Sequence, residues 1–520
     1  MASSTYISAF LLLFFILFLT PARAASNVKP RSHLPTSSFV PSSSFLSTLQ
    51  STLDEIKSVT SLLSTFSGVL GDDQRLSSAV SDCLDLLDLS SDELTWTLSS
   101  SQASSTLSAV GTGNRRSDLR SWMSAALGNQ DTCKEGLDGT GGLVGTLVAG
   151  GLDMVNSLVY DALREIVAVG GGDGGGGGRR RRLMEFPEWV SAGDRRLLQT
   201  QPTMVANAVV AQDGSGNYTT VSEAVEAAPA KSARRYVIYV KKGVYMENVE
   251  IKKKKWNLVL VGDGIGQTII SGNRSVVDGW TTYRSATFAV SGMGFICRDL
   301  TIENTAGPEK HQAVALRSDS DLSVYYRCEF SAYQDTLYAH SLRQFYRDCR
   351  ISGTVDFVFG NAAAVFQNCL LLARIPLPKQ KNSVTAQGRK YADQNSGFSF
   401  QFCNVSASAD LAAAGNSTET YLGRPWKEYS LTVFMQSYLG PVVQPQGWLE
   451  WNQDFALDTL YYAEYLNYGP GSALGNRVKW PGYHALNDSA TATNFTVAQF
   501  IEGNLWLPAT GVKYTAGLAV

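Results

Sequence analysis

Within the 520-residue chain, one stretch leaves few folds open. Between Val324 and Arg374, three segments repeat one pattern. Cys328, Cys349 and Cys369 each follow an aromatic residue by three positions (Tyr325, Tyr346, Phe366). Each precedes an apolar residue by two (Phe330, Ile351, Leu371). The repeats are 21 and then 20 residues long, and Phe400, Cys403 and Val405 extend the template. A short apolar β-pattern returning at this interval predicts stacked coils of a parallel β-helix, each covering the core of the one below.

The same register aligns two acids. Asp335 lies seven residues after Cys328, and Asp356 lies seven after Cys349. Coils in register set them one above the other, at a strand spacing of about 4.8 Å. Two carboxylates that close resist ionising together, so one tends to keep a proton while the other stays charged. The pair can then supply an acid and a nucleophile or base. A lone aspartate here reads as a turn cap. Two at one phase, beside Gln334 and Phe357, point to chemistry.

Other chemistries find little support. Four histidines (33, 311, 340, 484) and no Gly-x-Ser-x-Gly elbow disfavour a serine hydrolase. No His, Cys, Asp and Glu grouping has metal-ligand spacing, and no dinucleotide or phosphate-loop signature occurs. No cofactor or metal is expected. The net charge of −2 divides unevenly: 1–198 carries 16 basic and 20 acidic residues, 199–520 carries 28 and 26. That weak positive excess gives no nucleic-acid face. The run Lys252–Lys255 fits either a solvated turn or a grip on an acidic polymer.

The N-terminus sets the compartment. The apolar run Ile7–Leu19 followed by Ala22-Arg23-Ala24 has the form of a signal peptide over 1–24. It is short for a membrane span, and no later apolar run of spanning length is read. A secreted, extracellular protein is expected. Asn217, Asn273, Asn404, Asn416, Asn487 and Asn494 head Asn-x-Ser/Thr sequons and are glycosylation candidates. Seven cysteines in an oxidising route leave at least one unpaired. Cys83 and Cys133 are alone in the first half, so a Cys83–Cys133 bridge is expected. Cys349–Cys369 is the preferred bridge in the second half, with a buried thiol ladder as its alternative.

The chain divides by period. Residues 25–43 are rich in Ser and Pro and read as a linker. Over 44–169 the spacing is helical: Leu46, Leu49, Leu53, Ile56, Val59, Leu63 and Phe66 share one face. An all-α bundle of up to four helices follows. Residues 170–198 hold eight glycines within 170–182, Arg179–Arg182 and two dibasic sites, Arg181-Arg182-Leu183-Met184 and Arg195-Arg196-Leu197-Leu198. They read as a flexible linker open to a processing protease. Residues 199–520 form the β-rich domain. Around its acid pair, Gln334 and Gln312, about one coil earlier, supply neutral donors for a tetrahedral oxyanion. Arg424 can hold a carboxylate by two hydrogen bonds. Trp426 can stack on a sugar ring, with Phe357, Tyr338 and Trp448 as further aromatic candidates.

Several segments together resemble plant pectin methylesterases: Gln312-Ala313-Val314-Ala315-Leu316, Gln334-Asp335-Thr336-Leu337, Asp356-Phe357-Val358-Phe359-Gly360 and Leu422-Gly423-Arg424-Pro425-Trp426. Gly243-Val244-Tyr245-Met246-Glu247 matches that family's first motif. The likeness covers about 204–515. The first half resembles the pectinesterase-inhibitor pro-region, notably Ser121–Leu127 and Asp131-Thr132-Cys133, although the cysteine pair usual near the start of that bundle is missing. Arg-Arg-Leu-Leu resembles the family's processing site.

The resemblance implies a right-handed parallel β-helix catalytic domain preceded by an all-α four-helix pro-domain. It implies hydrolysis of homogalacturonan methyl esters in the plant cell wall, with a proteinaceous inhibitor as a further partner. Asp356 would be the nucleophile, Asp335 the proton donor and then base, and Gln334 the transition-state stabiliser. Thr282, Gln312, Arg424 and Trp426 would bind substrate. A backbone-cleaving polygalacturonase or lyase on the same scaffold is the competing reading. Inverting hydrolysis needs carboxylates about 6.5–9.5 Å apart, wider than a same-phase pair allows.

Overall fold

The computed structural model describes residues 39–66, 73–102, 110–140, 142–168, 205–415 and 418–519. The expected signal peptide, the Gly/Arg-rich linker with both dibasic sites, and the sequon at Asn416 lie outside the described residues. The other sequon asparagines, Asn217, Asn273, Asn404, Asn487 and Asn494, are exposed.

The repeat seen in the sequence is a coil of three strands. In one coil these are Ser323–Tyr326, Glu329–Ser331 and Leu337–Ala339; in the next, Arg343–Arg347, Arg350–Gly353 and Val358–Gly360. Each strand pairs in parallel with its counterpart on the neighbouring coil. Stacked coils build three long parallel sheets of 11, 8 and 6 strands, the expected parallel β-helix. Register explains the sequence pattern. Tyr325, Tyr346, Phe366, Phe400 and Phe434 are successive partners, and their rings stack at 4.5–4.7 Å inside the coil. A left-handed residue turns each first strand into the second: Arg327, Asp348, Asn368 and Phe402 all have positive φ.

The cysteine that follows each of these turns points into the core. Cys328, Cys349, Cys369 and Cys403 are free, buried thiols, so the expected Cys349–Cys369 bridge is not formed. Each of these two sulfurs faces a carbonyl of the preceding coil: Cys349 Sγ donates to Tyr325 O at 3.3 Å and Cys369 Sγ to Tyr346 O at 3.6 Å. The ladder is apolar packing, as buried thiols commonly are.

Four helices precede the coils: α1 (Ser43–Ser64), α2 (Gln74–Gln102), α3 (Arg115–Asp138) and α4 (Leu143–Ala168). Ser42 caps α1 by accepting from Phe45 N–H at 2.9 Å. The buried face of α1 runs through Phe45, Leu49, Ile56, Val59 and Leu63 at steps of three, four and seven. Neighbour packing is α1 on α2, α2 on α3, α3 on α4 and α4 on α1, a four-helix bundle. The Cys83–Cys133 bridge joins α2 to α3 as expected. The expected linker to residue 43 is one turn too long, because Phe39 is buried and packs its ring on Phe45. α4 is long and apolar enough to span a membrane, which the sequence reading did not register. Its face Val144, Val148, Leu152, Val155 and Val159 is committed to the bundle core.

Helices and coils belong to one unit, Phe39–Val520. The bundle core is continuous with the outward row of the six-stranded sheet. Ala289, Arg317, Tyr338, Phe359 and Ala386 are partners across successive strands and point away from the β-helix interior. All but Arg317 share one apolar cluster with α1–α4. The C-terminal turns, including Val497, Ile501, Trp506 and Leu507, cover the 11-stranded sheet instead.

Candidate active site

Asp335 and Asp356 occupy the same turn of adjacent coils. Leu337 pairs with Val358, and each aspartate sits two residues before its member of that pair. Asp335 N–H donates to Val355 O at 3.1 Å, tying the two turns together. Both residues hold positive φ, 65° and 53°. Aspartate tolerates this left-handed conformation better than most residues, and such strain clusters at working sites. The tight turn lifts both carboxyl groups out of the coil into a cavity of about 330 Å³.

The environments of the two acids differ. Arg424 donates from Nε to Asp356 Oδ1 at 2.8 Å and from Nη2 to Oδ2 at 2.7 Å. This fork fixes the plane of the carboxylate with charge-assisted bonds. Among the described residues Asp335 has no such partner. Burial, and then the negative charge of Asp356, push its carboxyl well above the usual carboxylate range, against the smaller pull of Arg424. The pair can therefore supply a carboxyl group oriented by Arg424 and a second one that keeps its proton.

Gln312 and Gln334 form a parallel bridge on successive coils. Their side chains line the cavity with Thr282, Arg424 and Trp426. Of the aromatic candidates, Tyr338 lines the cavity and stacks on Phe359 at 4.1 Å. Phe357 and Trp448 do not. Phe357 is fully buried in the β-helix core, because the left-handed Asp356 reverses the direction of the next side chain. Trp448 is in the same core, stacked on Tyr462 at 4.2 Å. Phe359 and Trp451, not among the sequence candidates, also line the cavity. Trp451 is 37 % exposed and lies under the Arg424 guanidinium at 4.4 Å. The polar, charged neighbourhood of Trp451 (Glu450, Asn452) is the signal that separates it from Trp448.

The profile of the pectinesterase family matches residues 207–504, the β-helix that carries all of these groups. The chain belongs to the pectinesterase family. A profile described as plant invertase/pectin methylesterase inhibitor matches residues 25–164. A pectinesterase/pectinesterase inhibitor of Prunus persica is 61 % identical over 482 residues, 92 % of this chain and 90 % of that one. A probable pectinesterase/pectinesterase inhibitor of Arabidopsis thaliana is 56 % identical over 499 residues, 92 % of this chain and 94 % of that one. Among solved structures, the pectin methylesterase from carrot is 54 % identical with a TM-score of 0.61. It is matched over its full length by 61 % of this chain. The Aspergillus niger pectin methylesterase is 27 % identical with a TM-score of 0.50, over 59 % of this chain and 96 % of that one.

In this pectinesterase the cavity has a helical roof. Arg75, Asp82, Thr132, Glu135 and Gly136 of α2 and α3 line it opposite the aspartates. The Cys83–Cys133 bridge, with Cα atoms 4.6 Å apart, locks two of these roof segments together above the site. Polar contacts seat the roof. Thr132 Oγ1 meets His340 Nε2 at 2.9 Å, Arg75 Nη1 donates to Trp280 O at 2.8 Å, and Asn395 N donates to Ser124 Oγ at 2.8 Å. Arg343, wholly buried, lies between Asp118 of α3 (2.6 Å) and Asp321 of its own coil (2.7 Å).

Proposed function

We propose that Asp356 and Asp335 divide the pectinesterase reaction between them, and that the helical region keeps the enzyme inactive until the linker is cut. The acid pair on adjacent coils, one member forked to Arg424 and the other a buried carboxylic acid, is the observation that carries the reading.

A carboxylate oxygen of Asp356 bonds to the ester carbonyl carbon, and the carbonyl electrons move to oxygen. The amide N–H groups of Gln334 and Gln312 donate to that oxyanion; among the described residues neither side chain is engaged in another hydrogen bond. Collapse breaks the bond to methoxide, and Asp335 gives it the proton that makes methanol. An acyl intermediate on Asp356 remains. Asp335, now a carboxylate, takes a proton from water, and the hydroxide oxygen bonds to the acyl carbon. Collapse frees the Asp356 carboxylate and leaves a galacturonate carboxyl group, with Asp335 protonated again. Thr282, Trp426 and Trp451 border the path of the polymer.

The substrate is homogalacturonan of the plant cell wall, reached by secretion under the signal peptide over 1–24, with glycosylation at the exposed sequons. A protease cutting in 170–198, at Arg195-Arg196-Leu197-Leu198, separates the domain 199–520 from the inhibitor-like helices. A separate inhibitor of the same bundle type would then compete for the vacated cleft. The deciding assay uses the 199–520 domain on highly methylated pectin. Methanol release without loss of polymer length is the expected result. Falling polymer length would favour the backbone-cleaving alternative.

A further inference from the structure

The two acids are held in different ways. Asp356 is fixed through its side chain, by the fork of Arg424. The Asp335 carboxyl has no side-chain clamp of that kind among the described residues, so the backbone that carries it sets its position. The same backbone carries Gln334, whose side chain lines the cavity. This turn, 333–336, contains a left-handed aspartate at φ 65°. Such a conformation persists where its surroundings over-determine it.

The C-terminal side of the turn is tied to the next coil. Asp335 N–H donates to Val355 O at 3.1 Å, and Thr336 Oγ1 donates to Ser352 O at 2.9 Å. Its N-terminal side is held by Arg374, from two coils away. Arg374 follows the strand Leu370–Ala373, whose Ala373 is the register partner of Gly353, and its N–H donates to Gly353 O at 2.8 Å. The side chain reaches back past that coil. Nη1 donates to Ala332 O at 2.7 Å and Nη2 to Tyr333 Oη at 2.8 Å. The guanidinium lies 3.8 Å from the centre of the Tyr333 ring. One residue thus ties three successive coils: its own, the one that leads to Asp356, and the one that carries Gln334 and Asp335. The ionised donor strengthens both hydrogen bonds. The planar fork meets two acceptors and a ring face together, which an ammonium cannot do. Arg374 enters no ion pair among the described residues. Its own carbonyl accepts from Asn382 Nδ2 at 2.9 Å, which anchors the base of the clamp. Neither Arg374 nor Tyr333 lines the cavity.

We propose that Arg374 is a positioning residue for the esterase reaction: by clamping Ala332 and Tyr333 it holds the Gln334 amide and the Asp335 carboxyl where they meet the ester. It touches no substrate and acts through the turn. The inference rests on the roles proposed for Gln334 and Asp335 and adds what sets their place. Loosening the clamp displaces both groups together, while Asp356 stays on Arg424. The residues that border the polymer are left alone, so the loss falls on kcat and not on KM. A loosened turn also admits water to the Asp335 carboxyl. That group then holds its proton less tightly, and the alkaline fall in turnover moves to lower pH.

The test is steady-state methanol release from highly methylated pectin across pH. It compares the enzyme cut in 170–198 with its R374M, R374K and Y333F variants, their folding followed by circular dichroism. R374M keeps the apolar stem and removes the donors. It is expected to lose kcat about tenfold or more, on the scale of a small misplacement of reacting groups, with KM within about twofold of wild type. Its alkaline limb is expected at lower pH than that of wild type. R374K keeps the charge without the fork and is expected to fall between R374M and wild type. Y333F loses one acceptor and keeps the ring, and a smaller loss in the same direction is expected. An R374M enzyme with the kcat and alkaline limb of wild type overturns the proposal. So does a fall in kcat with the limb unmoved, which marks general damage and not a displaced turn. If R374M does not fold, R374K and Y333F decide, and unchanged kcat in both overturns it. A wild-type enzyme that releases no methanol strikes the esterase reading, whereas an active wild type with indifferent Arg374 variants strikes the positioning role alone.

Discussion

At Asp335 the proposed proton-donor role and the stability of the fold are in conflict. Its carboxyl is pushed well above the ordinary range by burial and by Asp356. The folded state therefore binds that proton more tightly than the unfolded chain does. The stability this contributes is complete below the unfolded value and is lost as pH rises through the raised folded value. Asp335→Asn removes the titration. The variant is expected to lose methanol release by at least about 100-fold, the scale of a lost general acid. It is also expected to melt at a higher temperature than wild type above neutral pH, with the gap shrinking as the solution is acidified. Thermal melts across pH check this. In the wild type, turnover should fall on the alkaline side as Asp335 gives up the proton that methoxide needs. The aspartates and glutamines were legible because their spacing follows the repeat, and Arg424 and Trp426 because they share one motif of the family resemblance. Phe357 and Trp448 were misread because nearness to a motif does not tell inward from outward, and a left-handed residue breaks the alternation that would. The stacked thiols were misread for a similar reason: register brings sulfurs near, but carbonyls of the preceding coil take their hydrogens.

Among the structural elements, the turn carrying Asp356 has almost no slack. Gly353 ends the strand before it, and a Cβ there would lie 2.3 Å from Phe357 Cβ and 2.5 Å from Thr336 Oγ1. Those neighbours belong to the turns that carry Asp335 and Asp356. Gly353→Ala should cost about 1–3 kcal/mol of stability, the range for overpacking. It should lower kcat more than it raises KM, since it shifts both acids; thermal denaturation and steady-state kinetics report the two effects. The coil was legible because every repeat must supply the same inward aromatic. The roof was not. Asp82, Asp85, Asp88 and Asp92 recur at steps of three, three and four, a visible acidic stripe on α2. Its partners, Arg284 and Lys253, come from about 160–200 residues further along, and no local pattern announces that pairing. The roof also carries a pH dependence. Burial pushes the Asp82 and Glu135 carboxyls above their ordinary range, against the opposing pull of Arg284 and Lys427. Undocking returns these acids to water, so the docked state holds the extra protons. Docking is complete at low pH and loosens as pH rises through the raised values. After cleavage in 170–198, the helices should co-elute with the β-helix in acidic buffer and separate from it increasingly as pH rises, which gel filtration reads directly.

For the whole molecule, one chain carries both a polymer-processing groove and the helices that fill it. The apolar row Ala289, Tyr338, Phe359 and Ala386 would otherwise face water. Covering it gives that row a place in the bundle core and roofs the cavity above the acids. Cleavage after Leu198 should therefore raise methanol release from pectin severalfold or more, and an uncut chain as active as the cut one would contradict the roof's role. The central claim is that a carboxylate held by Arg424 attacks the ester while its neighbour one coil away supplies the proton. The most direct measurement is methanol release from highly methylated pectin by the cut enzyme and by its Asp356→Asn variant, both shown folded by circular dichroism. The account predicts release at the uncatalysed background for the variant, because an amide cannot form the acyl intermediate; release at the wild-type rate would contradict it.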